Sequence, residues 1–156
     1  MIWRGLLLFV VMSLCACHHE NLHDAQGRTI DASQWKNKWV FINVWAPWCH
    51  PCRQEIPDLN RFANAHAGQV LVLGYNFDGP KPELLKKQIG SLNIHFKVLI
   101  EDPSRVFSLK PSGVVPTTYV IGPDGRVVQA LIGPQTFQGL EKFLKQQVAK
   151  QSKEGA

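Results

Sequence analysis

Two cysteines three residues apart, in the segment WCHPC, are the side chains of this sequence best suited to do chemistry. Cys49 and Cys52 are separated by His50 and Pro51 and preceded by Trp48. A pair of thiols at this spacing can form a structural disulfide, bind a metal ion or act as a reversible redox couple. The rest of the sequence has to distinguish these three kinds of site.

The structural alternatives have little support. Tetrahedral zinc takes four ligands, usually from two Cys-x-x-Cys pairs or from one pair and two histidines. The sequence contains no second such pair. A disulfide that closes so short a loop stabilises a protein little. A Cu(I) site on the two thiolates, and with it a copper-binding or copper-delivery module, stays an alternative because soft thiolates suit that ion.

The redox interpretation gives each position of the motif a physical role. If a helix begins at the motif, its unpaired N–H groups and its dipole stabilise the thiolate of Cys49 and lower the pKa of that thiol. Cys52 then lies one turn further on, within reach of a mixed disulfide on Cys49. A protonated His50 would favour the thiolate further and make the couple more oxidising; alternatively it is an exposed loop side chain with little effect. Pro51 suits a first helical turn.

The first 16 residues predict a signal peptide that is not part of the folded domain. They contain one basic residue, Arg4, followed by an apolar run over 6–14. That run is shorter than the roughly 20 residues that span a bilayer, and it fits a secretory signal. We therefore expect the mature protein to lie outside the cytoplasm.

The tetrapeptide LCAC, which ends at Cys17, resembles the lipobox of bacterial lipoproteins. It predicts that residues 1–16 are removed as a lipoprotein signal peptide and that Cys17 carries the lipid that anchors the protein to a membrane. Ordinary signal cleavage and an uncleaved anchor are the alternatives. With Cys17 modified, Cys49 and Cys52 are the two thiols left in the mature domain.

The rest of the chain predicts one α/β domain. The polar segment 17–28 is interpreted as a tether, 29–150 as the domain and 151–156 as a frayed tail. Near-continuous apolar runs predict buried strands, and apolar residues at helical spacing predict helices. The expected elements are a strand at 38–45, a helix at 53–66 with a kink at Pro57, a strand at 69–76, a helix at 81–92, a strand at 96–100, a short helix at 103–109, two strands within 114–133 joined by Asp124-Gly125, and a helix at 136–150.

Composition and charge indicate an ordinary globular protein and argue against nucleic-acid binding. The chain has 156 residues, 45% of them hydrophobic and 19% charged, which is typical of a single globular domain. The net charge of +5 is mild, and no stripe of basic residues with interleaved aromatics is present. Nucleic-acid binding is therefore not expected.

Four segments together resemble one family. They are 40–59, which contains the CHPC motif, 75–80, 101–107 and 113–128. They are similar to the thioredoxin superfamily, and most to the TlpA/ResA branch of membrane-tethered, extracytoplasmic thiol-disulfide oxidoreductases, which includes the DsbE-type cytochrome c maturation proteins. The resemblance implies a thioredoxin-like fold, in which a central mixed sheet is flanked by helices and preceded by an N-terminal hairpin.

The resemblance also implies roles for individual residues. Cys49 matches the nucleophilic cysteine and Cys52 the resolving one. Pro116 matches the cis-proline opposite the motif, and Val115 matches the residue whose backbone binds the partner's chain. Glu55 matches an acidic residue that accepts the Cys52 proton during resolution; the alternative is an exposed helix glutamate.

Two further positions support this branch. Asn43 takes the place where cytoplasmic thioredoxins carry a buried aspartate, which leaves proton handling to Glu55. Trp48 matches the tryptophan before the motif, where it tunes the site and contacts the partner; the alternative is a packing aromatic.

The resemblance implies a reductase of partner disulfides that needs no cofactor. We expect a monomer, because nothing in the sequence suggests an obligate dimer. Candidate partners are the haem-binding Cys-x-x-Cys-His segment of an apocytochrome c or a copper-site protein, with electrons supplied by a membrane thiol donor. An oxidant of exported protein thiols is the rival within the same chemistry.

Overall fold

The computed structural model describes residues 21–154, with four helices and seven strands in that range. The predicted signal peptide and the predicted lipidation site Cys17 lie outside the described residues. The elements are β1 (Leu22–His23), β2 (Thr29–Ile30), α1 (Ala32–Trp35), β3 (Trp39–Trp45), α2 (His50–Ala65), β4 (Val70–Asn76), α3 (Pro82–Ser91), β5 (Lys97–Leu99), β6 (Thr117–Ile121), β7 (Val127–Ile132) and α4 (Phe137–Glu154).

The main sheet has the strand order β5-β4-β3-β6-β7. The strands β3, β4 and β5 are parallel, whereas β6 runs antiparallel to β3 and β7 runs antiparallel to β6. The apolar run WVFINVW forms the central strand β3 because both of its faces are covered. This mixed sheet with flanking helices confirms the predicted thioredoxin-like fold, and the Asp124-Gly125 hairpin joins β6 to β7 as expected.

Alternate residues of β3 face two separate hydrophobic clusters. Phe41 and Trp45 belong to the cluster that also contains both cysteines, and there Phe41 packs edge-on against Phe62 of α2 with ring centroids 5.0 Å apart. Val40 and Ile42 belong to the cluster on the other face. The cysteines are therefore anchored in the core on the side where α2 and α4 contact each other.

The N-terminal segment is packed from Leu22 onward, where the sequence predicted a tether. β1 and β2 pair as an antiparallel hairpin, and Leu22 is 1% exposed. The backbone N–H of Ala25 donates to Val98 O at 2.8 Å, which ties the hairpin to β5. The polar composition of 17–28 did not indicate this packing. A polar residue of this segment, Asp24, can be buried because the backbone N–H and the side chain of Arg28 donate hydrogen bonds to its carboxylate.

Three other boundaries differ from the expectation. The segment 103–109 forms successive turns rather than a helix, and Ser108 has a left-handed φ of 52° that interrupts helical geometry. The helix α2 begins at His50, before the predicted start, and continues through Pro57. The helix α4 extends to Glu154, so 151–154 are helical instead of frayed. Within residues 21–154, no helix combines the length and apolarity that crossing a membrane requires.

Candidate active site

The two cysteines lie where the central strand passes into α2. Cys49 is the N-cap of α2, and its Sγ accepts a hydrogen bond from the backbone N–H of Cys52 at 3.2 Å. The two side chains form a disulfide. Cys49 is 5% exposed, whereas Cys52 is fully buried. The outer sulfur at the helix N-terminus is thus the one that a partner can reach, and the inner sulfur is placed to resolve.

The residues between the cysteines occupy the first turn of α2. Pro51 takes an early helical position, where its missing N–H costs nothing. His50 is exposed, and its Nδ1 lies 3.3 Å from Nη2 of Arg53. A guanidinium only donates, so Nδ1 is the acceptor in this contact. The guanidinium of Arg53, which is always charged, therefore adds a positive charge near the N-terminus of α2.

Glu55 is buried one helical turn after Cys52, with 2% of its surface exposed. The alternative of an exposed helix glutamate was therefore wrong. Its Oε1 accepts a hydrogen bond from Nδ2 of Asn43 at 2.7 Å, and its Oε2 accepts one from the backbone N–H of Gln135 at 2.7 Å. Burial raises the pKa of Glu55 to about 7, although the hydrogen bonds from Gln135 and Asn43 oppose that rise. The carboxyl consequently titrates in the neutral range.

Asn43 connects the central strand to this carboxylate. It is fully buried on β3, and its Nδ2 also donates to Oγ1 of Thr118 at 3.0 Å. Its Oδ1 is buried without a hydrogen-bond partner among the described residues. An amide at this position orients Glu55 without adding a second charge to the core.

No pattern in the sequence pointed to Gln135. This residue lies in the loop between β7 and α4, and it contacts Glu55 through its main-chain N–H. Every residue type except proline supplies that donor, so no side-chain pattern marks the position. Only the fold, which brings residues 80 apart in the chain together, reveals it.

The segment before β6 approaches the same end of the sheet. The Val115-Pro116 peptide bond is cis. Thr117 pairs with Val44 near the end of β3, so Pro116 lies at the end of the sheet where β3 passes into the cysteine loop. Val115 is half-buried and packs against the cluster that contains both cysteines. The structure thus packs Val115 against the cluster of the redox pair and places Pro116 at the same end of the sheet; their contact with a partner stays a prediction.

Trp48 is an exposed residue of this site rather than a packing aromatic. Its indole is 62% exposed, and the indole N–H donates to a carboxylate oxygen of Asp78 at 3.0 Å. Phe77, whose N–H donates to Trp45 O, is 47% exposed, and Val114 is 46% exposed. Trp48 precedes Cys49 directly, Phe77 is bonded to the end of β3, and Val114 precedes the Val115-Pro116 segment, so three exposed apolar side chains belong to the segments that build the site.

Metal ligands do not converge elsewhere in residues 21–154. No group of three histidine, cysteine, aspartate or glutamate side chains is arranged there to hold a metal ion. A Cu(I) site in this part of the chain would rest on Cys49 and Cys52 alone.

The fold and the site agree with comparisons against known proteins. The AhpC/TSA family matches residues 16–130, more than half of the chain. The chain therefore belongs to this family, a branch of the thioredoxin superfamily. The thiol-disulfide oxidoreductase ResA of Bacillus thuringiensis (strain Al Hakam) is 30% identical over 123 residues, which cover 78% of this chain and 70% of the relative.

Solved structures support the same fold. StoA from Bacillus subtilis superposes with a TM-score of 0.66 at 20% identity, covering 80% of this chain and 95% of the other. The exposed lipoprotein thioredoxin Etrx1 from Streptococcus pneumoniae strain TIGR4 gives a TM-score of 0.69 at 23% identity, covering 81% and 98%. Together with the Cys49–Cys52 pair, these relationships make the protein a thiol-disulfide oxidoreductase of the ResA and DsbE type.

Proposed function

We propose that the protein reduces disulfides of partner proteins outside the cytoplasm through the Cys49–Cys52 couple. The observation that carries this proposal is the buried Glu55, whose carboxyl titrates in the neutral range one turn after Cys52. A reductase has to remove the proton of a buried resolving thiol before it can release its partner. A carboxyl with a pKa near 7 is suited to accept that proton at neutral pH.

The reaction proceeds in two exchanges. The Cys49 thiolate attacks one sulfur of the partner disulfide, which forms a mixed disulfide and releases the other partner sulfur as a thiolate. Cys52 then transfers its proton to Glu55 and attacks the Cys49 sulfur. The second partner thiolate leaves, so the partner gains two electrons and the protein retains the Cys49–Cys52 disulfide. A membrane thiol donor returns the two electrons, which regenerates both thiols without a cofactor.

The partner's chain docks along Val115-Pro116. Support comes from the position of this segment beside the redox pair and from the exposed apolar side chains of Trp48, Phe77 and Val114. Such a rim suits an extended, unfolded partner segment, because it offers apolar contact around a reactive sulfur without a deep pocket for one ligand. The protein acts as a monomer in this proposal, and nucleic acid plays no part.

The proposed partner is the oxidised haem-binding segment of an apocytochrome c, Cys-x-x-Cys-His. The test compares reduction of a disulfide-bonded Cys-x-x-Cys-His peptide with reduction of insulin by the reduced protein. We expect the peptide to react at least about tenfold faster, and Cys49→Ser to abolish both reactions. Equal rates for the two substrates would contradict the assignment of this partner.

The oxidant of exported thiols is the second candidate, and the positive charge of Arg53 near the N-terminus of α2 favours it. Positive charge there stabilises the thiolate of the reduced form, which makes the disulfide a stronger oxidant. In an oxidant, the oxidised form of the protein is less stable than the reduced form. Thermal unfolding of both forms therefore separates the candidates, and a lower melting temperature of the reduced protein removes the oxidant.

The membrane anchor is a further part of the proposal. It combines the signal peptide at 1–16 with lipidation of Cys17 on the extracytoplasmic face of a bacterial membrane. The LCAC segment supports it, and Etrx1 is described as an exposed lipoprotein. Cys17→Ser is expected to move the protein from the membrane fraction to the soluble fraction. Wild-type protein that is already soluble would contradict the anchor.

A further inference from the structure

The loop between β7 and α4 is hydrogen-bonded to two separate parts of the active site. The N–H of Gly133 donates to the carbonyl oxygen of the cis-proline Pro116 at 2.9 Å. Two residues later, the N–H of Gln135 donates to Oε2 of Glu55 at 2.7 Å. The loop therefore connects the segment proposed to dock the partner with the carboxyl proposed to accept a proton.

The conformation of the loop is fixed by its own residues. Gly133 has φ of 88°, a left-handed conformation that side chains disfavour. The side-chain Nε2 of Gln135 donates to the carbonyl oxygen of Gly133 at 2.8 Å, which closes the turn. The left-handed turn at Gly133 directs the chain so that the main-chain N–H of Gln135 meets the carboxylate, and this path does not depend on the Gln135 side chain.

We propose that Gln135 is a positioning residue whose main-chain N–H holds the Glu55 carboxylate in place and favours its ionised form. Both oxygens of this buried carboxylate are occupied, Oε1 by Asn43 and Oε2 by Gln135. Asn43 belongs to the rigid central strand, whereas Gln135 belongs to a loop that is also bonded to Pro116. The inference rests on the proposed role of Glu55 in resolution.

The chemistry of the donor gives a direction to its effect. An N–H group that donates to a carboxylate stabilises the charged form, so its removal from a buried site raises the pKa of the acid. Burial has already brought the pKa of Glu55 to about 7. Loss of the Gln135 donor therefore moves ionisation of Glu55 toward alkaline pH and slows resolution at neutral pH.

Gln135→Pro removes this donor, and Gln135→Ala is the matched control. The alanine variant loses the side-chain bond to Gly133 but keeps the N–H. The readout is the titration of the Glu55 side-chain carboxyl, followed by ¹³C NMR in the oxidised full-length protein and assigned with Glu55→Gln. We expect the midpoint to rise by about one pH unit in Gln135→Pro and to stay in place in Gln135→Ala.

Equal midpoints for the wild type and Gln135→Pro would overturn the inference. An equal rise in Gln135→Pro and Gln135→Ala would also overturn it, because the effect would then belong to the side chain. If Gln135→Pro does not fold, Gly133→Ala replaces it, since a side chain at this φ strains the turn and displaces the same N–H. The same rise is expected there, and an unchanged midpoint overturns the inference.

A second readout separates this inference from the proposed function. Resolution is followed as release of thionitrobenzoate from a mixed disulfide on Cys49, across a range of pH. If the rate profile moves with the Glu55 titration, both the positioning role and the proton-acceptor role are supported. If the titration moves and the rate profile does not, Gln135 still positions Glu55, and the proposed role of Glu55 in resolution is wrong.

Discussion

At the scale of single residues, the site depends on one buried carboxyl that forms no ion pair with any residue of the segment 21–154. Glu55 has an amide donor from Asn43 and a peptide donor from Gln135, and neither carries a charge. Two neutral donors do not compensate for the burial of a charged carboxylate, so the neutral form persists to higher pH. Burial of Glu55 thereby lowers the stability of the ionised protein and gives the proposed proton acceptor a pKa of about 7.

Because burial of the ionised Glu55 carboxylate lowers stability, we expect Glu55→Gln to gain stability relative to the wild type as pH rises. The unfolded wild type releases the Glu55 proton near the ordinary pKa of 4.5, but the native state keeps it until about pH 7. Between these values the native state binds more protons, so the free energy of unfolding of the wild type falls with increasing pH. The difference between Glu55→Gln and the wild type is expected to grow by about 3 kcal/mol across this window and then to level off.

Urea unfolding of the oxidised proteins at about pH 4 and about pH 8 measures this difference. Glu83→Gln, at an exposed position in the first turn of α3, is the control for removal of a carboxylate as such. A difference between Glu55→Gln and the wild type that is the same at both pH values would contradict the role of burial at Glu55.

The sequence predicts the residues of this site that act through their side chains, but not the residue that acts through its main chain. The motif cysteines, Pro116 and Glu55 carry recognisable side chains, and the structure brings them together. His50 is exposed, and its Nδ1 lies against the guanidinium of Arg53, so the tuning role predicted for it stays a prediction. Gln135 acts through its main chain, and its role depends on a contact between residues distant in the chain.

At the scale of the elements, close packing beside the central strand requires one glycine. Gly74 of β4 pairs with Asn43 of β3, and the indole of Trp45 lies over it. A Cβ at Gly74 would stand 2.9 Å from Cε2 of Phe96, 3.1 Å from Cγ2 of Val98 and 3.2 Å from Nε1 of Trp45. The absence of a side chain at this position makes room for the large rings that cover the sheet on the side of the cysteines.

Gly74→Ala is therefore expected to destabilise the protein by about 1 to 3 kcal/mol, the usual cost of overpacking a core. Gly90→Ala is the matched control, because Gly90 lies in α3 with nothing within 4 Å of its added Cβ. That change is expected to stabilise by about 0.5 to 1 kcal/mol, since alanine is the better helix former. Urea denaturation of both variants checks the signs, and a neutral Gly74→Ala would contradict the packing argument.

The strands and long helices were predictable because each carries a periodic apolar pattern over several residues. The exception among the predicted elements is 103–109, where Phe107 and Leu109 are buried without a helix. The apolar spacing indicates that one side of this segment is buried. The left-handed φ of Ser108, however, interrupts helical geometry, so the segment forms turns. Apolar spacing in so short a segment does not distinguish a helix from a series of turns.

At the scale of the whole molecule, the N-terminal hairpin completes the domain by covering the β5 edge of the sheet. Asp24 forms an isolated bridge with Leu99, and the N–H of Ile100 donates to His23 O at 2.9 Å. Covering an edge strand removes a site for unwanted pairing with other chains. The segment that the sequence assigned to a tether therefore belongs to the folded unit from Leu22 onward.

Truncation tests this boundary. A chain that begins at Thr29 lacks the buried Leu22 and Asp24 and the bonds to β5, whereas a chain that begins at Asn21 keeps them. The shorter chain is expected to be less stable by about 3 kcal/mol or more, from the lost apolar burial and hydrogen bonds. Thermal and urea unfolding of the two proteins give the comparison, and matching transitions would show that the hairpin adds no stability.

The reduction potential of the Cys49–Cys52 couple tests the central claim most directly. The oxidised protein is equilibrated with glutathione or dithiol buffers of known potential, and the fraction of free thiol is measured. A reductase is expected to have a potential near that of thioredoxin, about −270 mV. A value near about −120 mV would contradict the reductase and assign the protein to oxidation of exported thiols.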